Sequence, residues 1–401
     1  MALPRRLLVL AGAIVFLDTI FFEAITPLLP QYSEELGLSK AGTGVLAGAY
    51  PAGTLLTSLP AIWVAGRIGV RRSVVIGLAL LGAASVAFGL GETVIALDAA
   101  RFLQGVSGAL CWAGALGWLV GQTPAERRGE TIGLALGAAL GGALLGPVLG
   151  GVASEVGPEL VFGAVGLAAA GLTFATLAIP APSRAGGPRL AQLSPAMSDP
   201  QVRFGLWLML VFGAGFGATE TLGPLQLAAA GLGGLAIAAT FLGAITVETT
   251  LAPLVGRLTD RRGRLAPLRL CLPLAVLVLL AIGWAVSPLP LIVLLVLATV
   301  GIGPLWTTGS AICSDGSERA GVNQVVTFAL CNVAWSVGGL AGSAGGGVLA
   351  ELGSDPVPYS LLALLCAGTL WVIRSDRILG VRGEEHERRD HLDDQEEPHQ
   401  A

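Results

Sequence analysis

Five charged side chains interrupt otherwise apolar runs: Asp18, Glu23, Arg101, Glu220 and Glu248. A charge at mid-bilayer costs at least about 2.5–3.5 kcal/mol, so each needs a partner, water or a function. An acid that alternates between a nearby cation and a dehydrated setting loads and releases a proton. At a rise of ~1.5 Å per residue, Glu23 and Glu220 each lie about 10 Å below the outer end of their segments, and Arg101 about 12 Å below. The three share one level. Position therefore makes Glu23 the leading proton carrier and Arg101 its electrostatic partner. Glu220 is a second proton site or a binder of cationic substrate. Asp18, near mid-depth and ~140° round the helix from Glu23, is the alternative proton site. Glu248, in the inner half of its segment, is expected to pair with a loop Arg. No His lies in any apolar segment, which excludes a His relay there.

Aromatic residues share these faces. Trp112 follows Arg101 by eleven residues, Phe16 precedes Glu23 by seven, and Trp306 lies near the corresponding level of the tenth segment. With Gln104 they are the candidate lining of a substrate cavity, although for Trp112 and Trp306 plain packing is an equal reading. Aromatic walls beside acids suit amphipathic or cationic small molecules. Trp63, Trp284 and Trp371 are expected at interfaces.

The elements that must hold these groups are membrane helices. Of 401 residues, 54% are hydrophobic and only 12% charged, and the mean hydropathy is +0.77. A soluble domain carries about a quarter charged residues. Charge clusters and Gly/Pro breaks cut the chain into apolar stretches at 7–30, 42–65, 73–91, 93–121, 131–154, 160–179, 204–227, 232–255, 267–286, 290–312, 323–351 and 358–376. About 20 residues cross a bilayer. The first stretch follows MALPRR like a signal peptide, but it runs past Asp18 to Pro30 without a cleavage site and reads as a span. The fold class is thus all-α and polytopic, with twelve spans in two six-helix bundles. With the N-terminus inside, 21 of the 23 cations fall on inner segments and flanks. That distribution predicts both termini cytoplasmic, in the cell membrane.

The two bundles are repeats. Glu23 to Leu28 matches Glu220 to Leu225 at an offset of 197, Gly69 matches Gly263 at 194, Ala125 to Gly129 matches Ser317 to Gly321 at 192, and Gly151 to Gly157 matches Gly347 to Gly353 at 196. Six spans per half make them parallel repeats about an axis along the membrane normal. The 58 glycines suit helices that approach closely. Gly142, Gly146, Pro147, Gly150 and Gly151 read as a groove for another helix with a bend at the proline. Two Arg-rich connectors, GRIGVRR from Gly66 and GRLTDRRGR from Gly256, recur at half the chain length. Gly256 and Gly263 permit tight turns, Asp260 can pair with Arg or cap a helix, and the cations face anionic headgroups.

These connectors resemble the Gly-x-Leu-x-Asp-Arg-x-Gly-Arg loop of the major facilitator superfamily. The second copy matches it at Gly256, Leu258, Asp260, Arg261, Gly263 and Arg264; the first keeps Arg67, Gly69, Arg71 and Arg72 but has Gly66 in place of the Asp and Ile62 in place of the first Gly. Arg101-x-x-Gln104-Gly105 is similar to the superfamily's Arg-x-x-Gln-Gly motif, and Gly142 to Gly151 to the motif of its drug–proton antiporters. The resemblance covers residues 5 to about 378. It implies that helices 1, 4, 7 and 10 line a common water-filled cavity. It also implies that the connectors form a gate latching the halves in the outward-facing state, weakened in the first copy by Gly66.

The expected organisation is a bundle over 1–179, a cytoplasmic linker over 180–203, a bundle over 204–378 and a charged, disordered tail over 379–401. The tail holds all three His residues, His386, His391 and His399. The five cysteines lack CxxC spacing and read as packing residues. No Walker sequence and no intramembrane nucleophile–base or metal motif is present, so neither nucleotide hydrolysis nor intramembrane catalysis is expected, and no cofactor or metal. The expected function is secondary transport by alternating access: proton-coupled efflux of small amphipathic or drug-like compounds. The expected partners are the small-molecule substrate, protons and the lipid bilayer, with no nucleic acid and no obligate protein partner. An uptake symporter or facilitator for a small metabolite, or a non-transporting sensor or scaffold, is the alternative.

Overall fold

A computed structural model describes residues 2–123, 127–180 and 192–375. Among them the chain is helical, with no strand. Span 1 is Ala2–Glu23 continued by Leu29–Glu35 through the short 3-10 turn Thr26–Leu28. Spans 2 to 6 are Lys40–Ile68, Val70–Gly89, Val94–Gly121, Arg128–Val156 and Pro158–Ala178. Spans 7 to 10 are Pro200–Ala229, Gly234–Arg262, Ala266–Ile282 and Pro288–Arg319. Span 11 is Gln324–Leu340 and Gly346–Leu352, joined by a π-helical turn at Ala341–Gly345, and span 12 is Pro356–Arg374. Eleven spans are long and apolar enough to cross a membrane, and the ninth, at 17 residues, is shorter.

Turn chemistry explains the boundaries. Gly69 at φ 91° is the entire hinge between spans 2 and 3, and Gly263 at φ 88° opens the three-residue hinge between spans 8 and 9. Only glycine enters that backbone region without strain. Gly256, expected at a turn, lies inside the helix Gly234–Arg262, and the chain turns instead at Gly263, φ 88°. Asp260 likewise falls in the last helical turn of span 8 rather than at a helix start. Span 7 begins at Pro200, four residues before its expected start, since the Asp199 carboxylate caps it by accepting from the amides of Gln201 and Val202. A short helix, Leu193–Ser198, precedes it; the rest of the expected linker and the tail with its three His residues lie outside the described residues.

Small residues set how closely the spans approach. Gly53 faces the Phe102 carbonyl and Gly105 the Tyr50 carbonyl, which draws spans 2 and 4 together. Gly338 and Gly342 meet the carbonyls of Leu210 and Ala214 and do the same for spans 11 and 7. Each half has its own apolar core: Phe21, Phe88 and Phe162 pack edge to face at 5.0–6.3 Å in the first, and Leu208, Leu272, Leu295 and Tyr359 are buried together in the second. Outward faces carry bare apolar side chains, including Leu167, Trp284 and Trp371, a surface suited to lipid.

Among the described residues, the hydrogen bonds and ion pair that join the two bundles lie toward the ends remote from the Gly69 and Gly263 turns. The Lys40 ammonium pairs with Asp355, and the Ala41 amide donates to Glu351 Oε2 at 2.9 Å. Gly151 of span 5 packs on Ala238 of span 8, and Gly234 on Ser154. We call this the closed face and the opposite one the Arg-rich face.

Candidate functional site

Pro27 starts the site. It has no amide hydrogen, so helix Ala2–Glu23 loses its next ladder bond and passes into the 3-10 turn. The break leaves the carbonyls of Phe21 and Phe22 outside the regular ladder, and Arg101 of span 4 takes them. Its Nη2 donates to the Phe22 carbonyl at 2.9 Å, and its Nη1 donates to the Phe21 carbonyl at 3.4 Å and to Gln104 Oε1 at 3.1 Å. The guanidinium also lies 5.5 Å from the Phe22 ring centre and 5.2 Å from that of Tyr50. At 1% exposure, Arg101 is thus held by carbonyls and aromatic faces. Gln104, one helical turn on, orients it, and Gly105 admits span 2 close enough to bring Tyr50 into place.

Glu23 sits at the end of the broken helix, 6% exposed, with no hydrogen bond or ion pair among the described residues. Arg101 and Glu23 come within electrostatic range without a direct salt bridge. Glu220 of span 7 belongs to the other half and accepts a 2.7 Å hydrogen bond at Oε2 from the Thr26 hydroxyl. Glu23, Glu220 and Arg101 line one small cavity between the halves, together with Phe22, Thr26, Phe216 and Trp335. The sequence-derived level for the three charges is the level at which they meet. Glu248 differs from expectation. Among the described residues it makes no ion pair with a loop Arg; its carboxylate packs on Gly303 of span 10, in range of Glu23 and Glu220. Gly303 lacks the Cβ that would occupy that space.

The glycine motif of span 5 holds span 1 at this point. Gly142 lies against the Phe16 carbonyl, Gly146 against the backbone and Cβ of Glu23, and Gly150 against the Ala24 carbonyl and Pro27. Pro147 stays within an unbroken helix. The motif is therefore a groove for span 1, and its last glycine, Gly151, faces the other half.

Asp18 occupies a separate site, 2% exposed. Its Oδ2 accepts from Tyr50 Oη at 2.9 Å and from Trp112 Nε1 at 2.8 Å, while Oδ1 is buried without a partner. Trp112 stacks on Phe328 of span 11, centroids 5.6 Å apart and planes 16° apart. Trp112 is thus turned to Asp18 and Phe328 and lies outside the cavity lining. The other three expected lining residues also lie outside it: Phe16 faces Gly141, Gln104 serves Arg101, and Trp306 packs on Phe212 at 5.4 Å. Lining was assigned by helical spacing from a charge, and each of these side chains was claimed by a nearer partner.

Two connector residues make contacts within their own halves. Arg67 covers the Trp63 ring at 4.7 Å, and Arg264 holds Asp315 through two hydrogen bonds of 3.0 and 3.1 Å. Arg71 lies partly exposed and Arg261 exposed at the Arg-rich face. The cavity wall includes residues that sequence reasoning passed over. Thr26 and Phe216 follow the same spacing logic, three residues after Glu23 and four before Glu220. Trp335 and Phe328 carried no signal, because only the packing of the halves brings span 11 to spans 1 and 4.

The Major Facilitator Superfamily model matches residues 11–342 and 251–393. The chain belongs to that superfamily. It is 28% identical over 268 residues to a chloramphenicol resistance protein of Streptomyces lividans, covering 65% of this chain and 68% of that one. It is 23% identical over 222 residues to the quinolone resistance protein NorA of Staphylococcus aureus, covering 53% and 56%. An MFS-type transporter of Metarhizium rileyi, ppzB, is 27% identical over a shorter 137 residues, 33% of this chain and 28% of ppzB. The match thus spans about a quarter to two thirds of these relatives' lengths. Among solved structures, a bacterial homologue of the lysosomal transporter Spinster superposes with TM-score 0.70 at 15% identity, over 92% of this chain and 94% of that one. A variant of the nucleoside transporter NupG superposes with TM-score 0.72 at 12% identity, over 92% and 99%. The fold is that of a multi-pass membrane transporter.

Proposed function

We propose that the chain exports small amphipathic or cationic compounds across the cell membrane in exchange for protons, by alternating access, with both termini cytoplasmic. One observation carries this reading: two carboxylates from opposite halves, Glu23 and Glu220, face one small cavity beside a buried cation, Arg101. Among the described residues Glu23 has no hydrogen-bond partner, so a change of charge there breaks none. Phe22, Phe216 and Trp335 form an aromatic wall against which a flat cation would stack. Protons and a cationic substrate would compete for the same acids, which makes exchange obligatory. Resistance proteins among the relatives support the outward direction. The span 5 groove ties Glu23 to the packing of span 5, so rocking of the halves would change its surroundings. In this reading the Arg67–Arg71 and Gly256–Arg264 connectors rearrange as the gate on the cytoplasmic face.

The test uses the purified protein in inside-out oriented proteoliposomes with a fluorescent lipophilic cation and an acid interior. The expected result is accumulation that collapses with a protonophore and is absent for Glu23→Gln. Equilibration without a gradient would instead establish a facilitator.

A further inference from the structure

Asp18 is the buried carboxylate that the exchange reading does not use. It lies roughly 7–8 Å, five residues at 1.5 Å each, toward the Arg-rich face from Glu23. Its two donors come from different helices, Tyr50 of span 2 and Trp112 of span 4, and both bond the same oxygen. Around it stand Arg101, whose charge acts on it, and the uncharged Cys111, Gly108 and Tyr50. The indole that donates to Asp18 is also the ring that stacks, nearly parallel, on Phe328 of the other half. Trp112 follows cavity-lining Arg101 by eleven residues, roughly 16 Å along the helix. Phe328 precedes cavity-lining Trp335 by seven residues, so it lies roughly 10 Å nearer the Arg-rich end on the same face. The stacked pair therefore stands between the carboxylate cavity and the Arg-rich face. Indole and phenyl rings can slide or flip apart. A hydrogen bond from Nε1 to a buried carboxylate fixes the indole plane and holds it flat on its partner.

We infer that Trp112 and Phe328 form the inner door of the cavity, and that Asp18 is a positioning residue that keeps the door shut by fixing the indole. Asp18 acts through Trp112 and does not itself meet substrate. This deepens the carrier reading above by giving its cavity a second closure, on the face opposite the Thr26–Glu220 contact. Trp112→Phe keeps a ring for stacking and removes the N–H. Asp18→Asn keeps an oxygen acceptor, and Asp18→Ala removes it. Trp112→Phe thus loses one hydrogen bond, Asp18→Ala loses those from both Tyr50 and Trp112, and Asp18→Asn can retain them.

The readout is access to the cavity. Ser343→Cys places a thiol in the cavity wall, and its alkylation by a water-soluble maleimide is followed by mass on the folded protein in detergent micelles. Phe328→Ala, which removes the door leaf, sets the open-door rate. Trp112→Phe and Asp18→Ala should each speed alkylation several-fold toward that rate. The double variant should be no faster than either single one, and Asp18→Asn should return close to the parent rate. Rates that multiply in the double variant, or no acceleration with Trp112→Phe, would overturn the inference. If Asp18→Ala does not fold, Trp112→Phe and Asp18→Asn still decide between the outcomes. Alkylation needs neither a gradient nor a substrate, so a failed door and a failed proton exchange are separate results.

Discussion

Glu23 and Glu220 occupy equivalent places in the two repeats, each followed four residues later by a proline, yet their surroundings differ. Span 1 breaks after Glu23, whereas span 7 runs unbroken from Pro200 to Ala229 through Pro224. Proline loosens both helices in the same way. What differs is the neighbour: Arg101 collects the carbonyls freed in span 1, and the second half has an apolar residue near the equivalent position, Leu295 being 194 residues on. A cation that can satisfy stranded carbonyls lets the break persist; without one the helix stays continuous. The consequence reaches the acids. Glu23 ends a broken helix with no hydrogen-bond partner among the described residues, while Glu220 sits within a continuous helix and accepts from Thr26 of the other half. One half has an acid outside any hydrogen bond among the described residues, the other an acid bonded across the halves.

The comparison breaks most severely at Arg101. Arg101→Met removes the guanidinium from two carbonyls and Gln104. At about 1.5–3 kcal/mol for each hydrogen bond to a charged group, it should abolish transport and lower the melting temperature markedly. Arg101→Lys should rescue little, because an ammonium lacks the planar fork that reaches all three acceptors. Retained activity in either would mean that the break in span 1 stands without the cation. Next comes Glu23→Gln, which keeps size and polarity: gradient-driven accumulation should fall at least tenfold with folding intact. Gly150→Ala puts a methyl against the Ala24 carbonyl and Pro27, where overpacking costs about 1–3 kcal/mol. Thermal unfolding should register that loss, and the same substitution at open Gly163 should not. The smallest effect belongs to Thr26→Val, which deletes one hydrogen bond between the halves. At about 1 kcal/mol it should shift the closed face toward opening roughly fivefold, read by thiol labelling at the closed-face ends of spans 1 and 7. An equal shift in a variant already carrying Glu220→Leu would show that Thr26 acts elsewhere.

The fold was legible because its determinants are compositional and periodic. Apolar length, the sided Arg distribution and landmarks repeating about 195 residues apart require no contact information, and they yield twelve spans in two bundles. The level shared by Glu23, Glu220 and Arg101 was legible because helical rise is constant. The contacts of each side chain were not. Sequence spacing places Trp112 on the face of Arg101, but whether its indole meets substrate or Asp18 depends on where span 2 puts Tyr50 and span 1 puts Asp18. Glu248 was assigned a loop Arg by depth alone, and the absence of a Cβ at Gly303, 55 residues away, gave it a different place. The turn residue in the second connector followed the same pattern: both Gly256 and Gly263 are compatible with a turn, and only the tertiary path selects Gly263.

The central claim is that Glu23 carries the exchanged proton while Asp18 holds an aromatic door. The most direct measurement is proton release from the detergent-solubilised protein when a lipophilic cation is added in unbuffered solution, followed with a pH-sensitive dye. The account predicts release from the parent chain and from Asp18→Asn, and none from Glu23→Gln. Release that survives Glu23→Gln but is lost with Asp18→Asn would contradict it and make Asp18 the proton site.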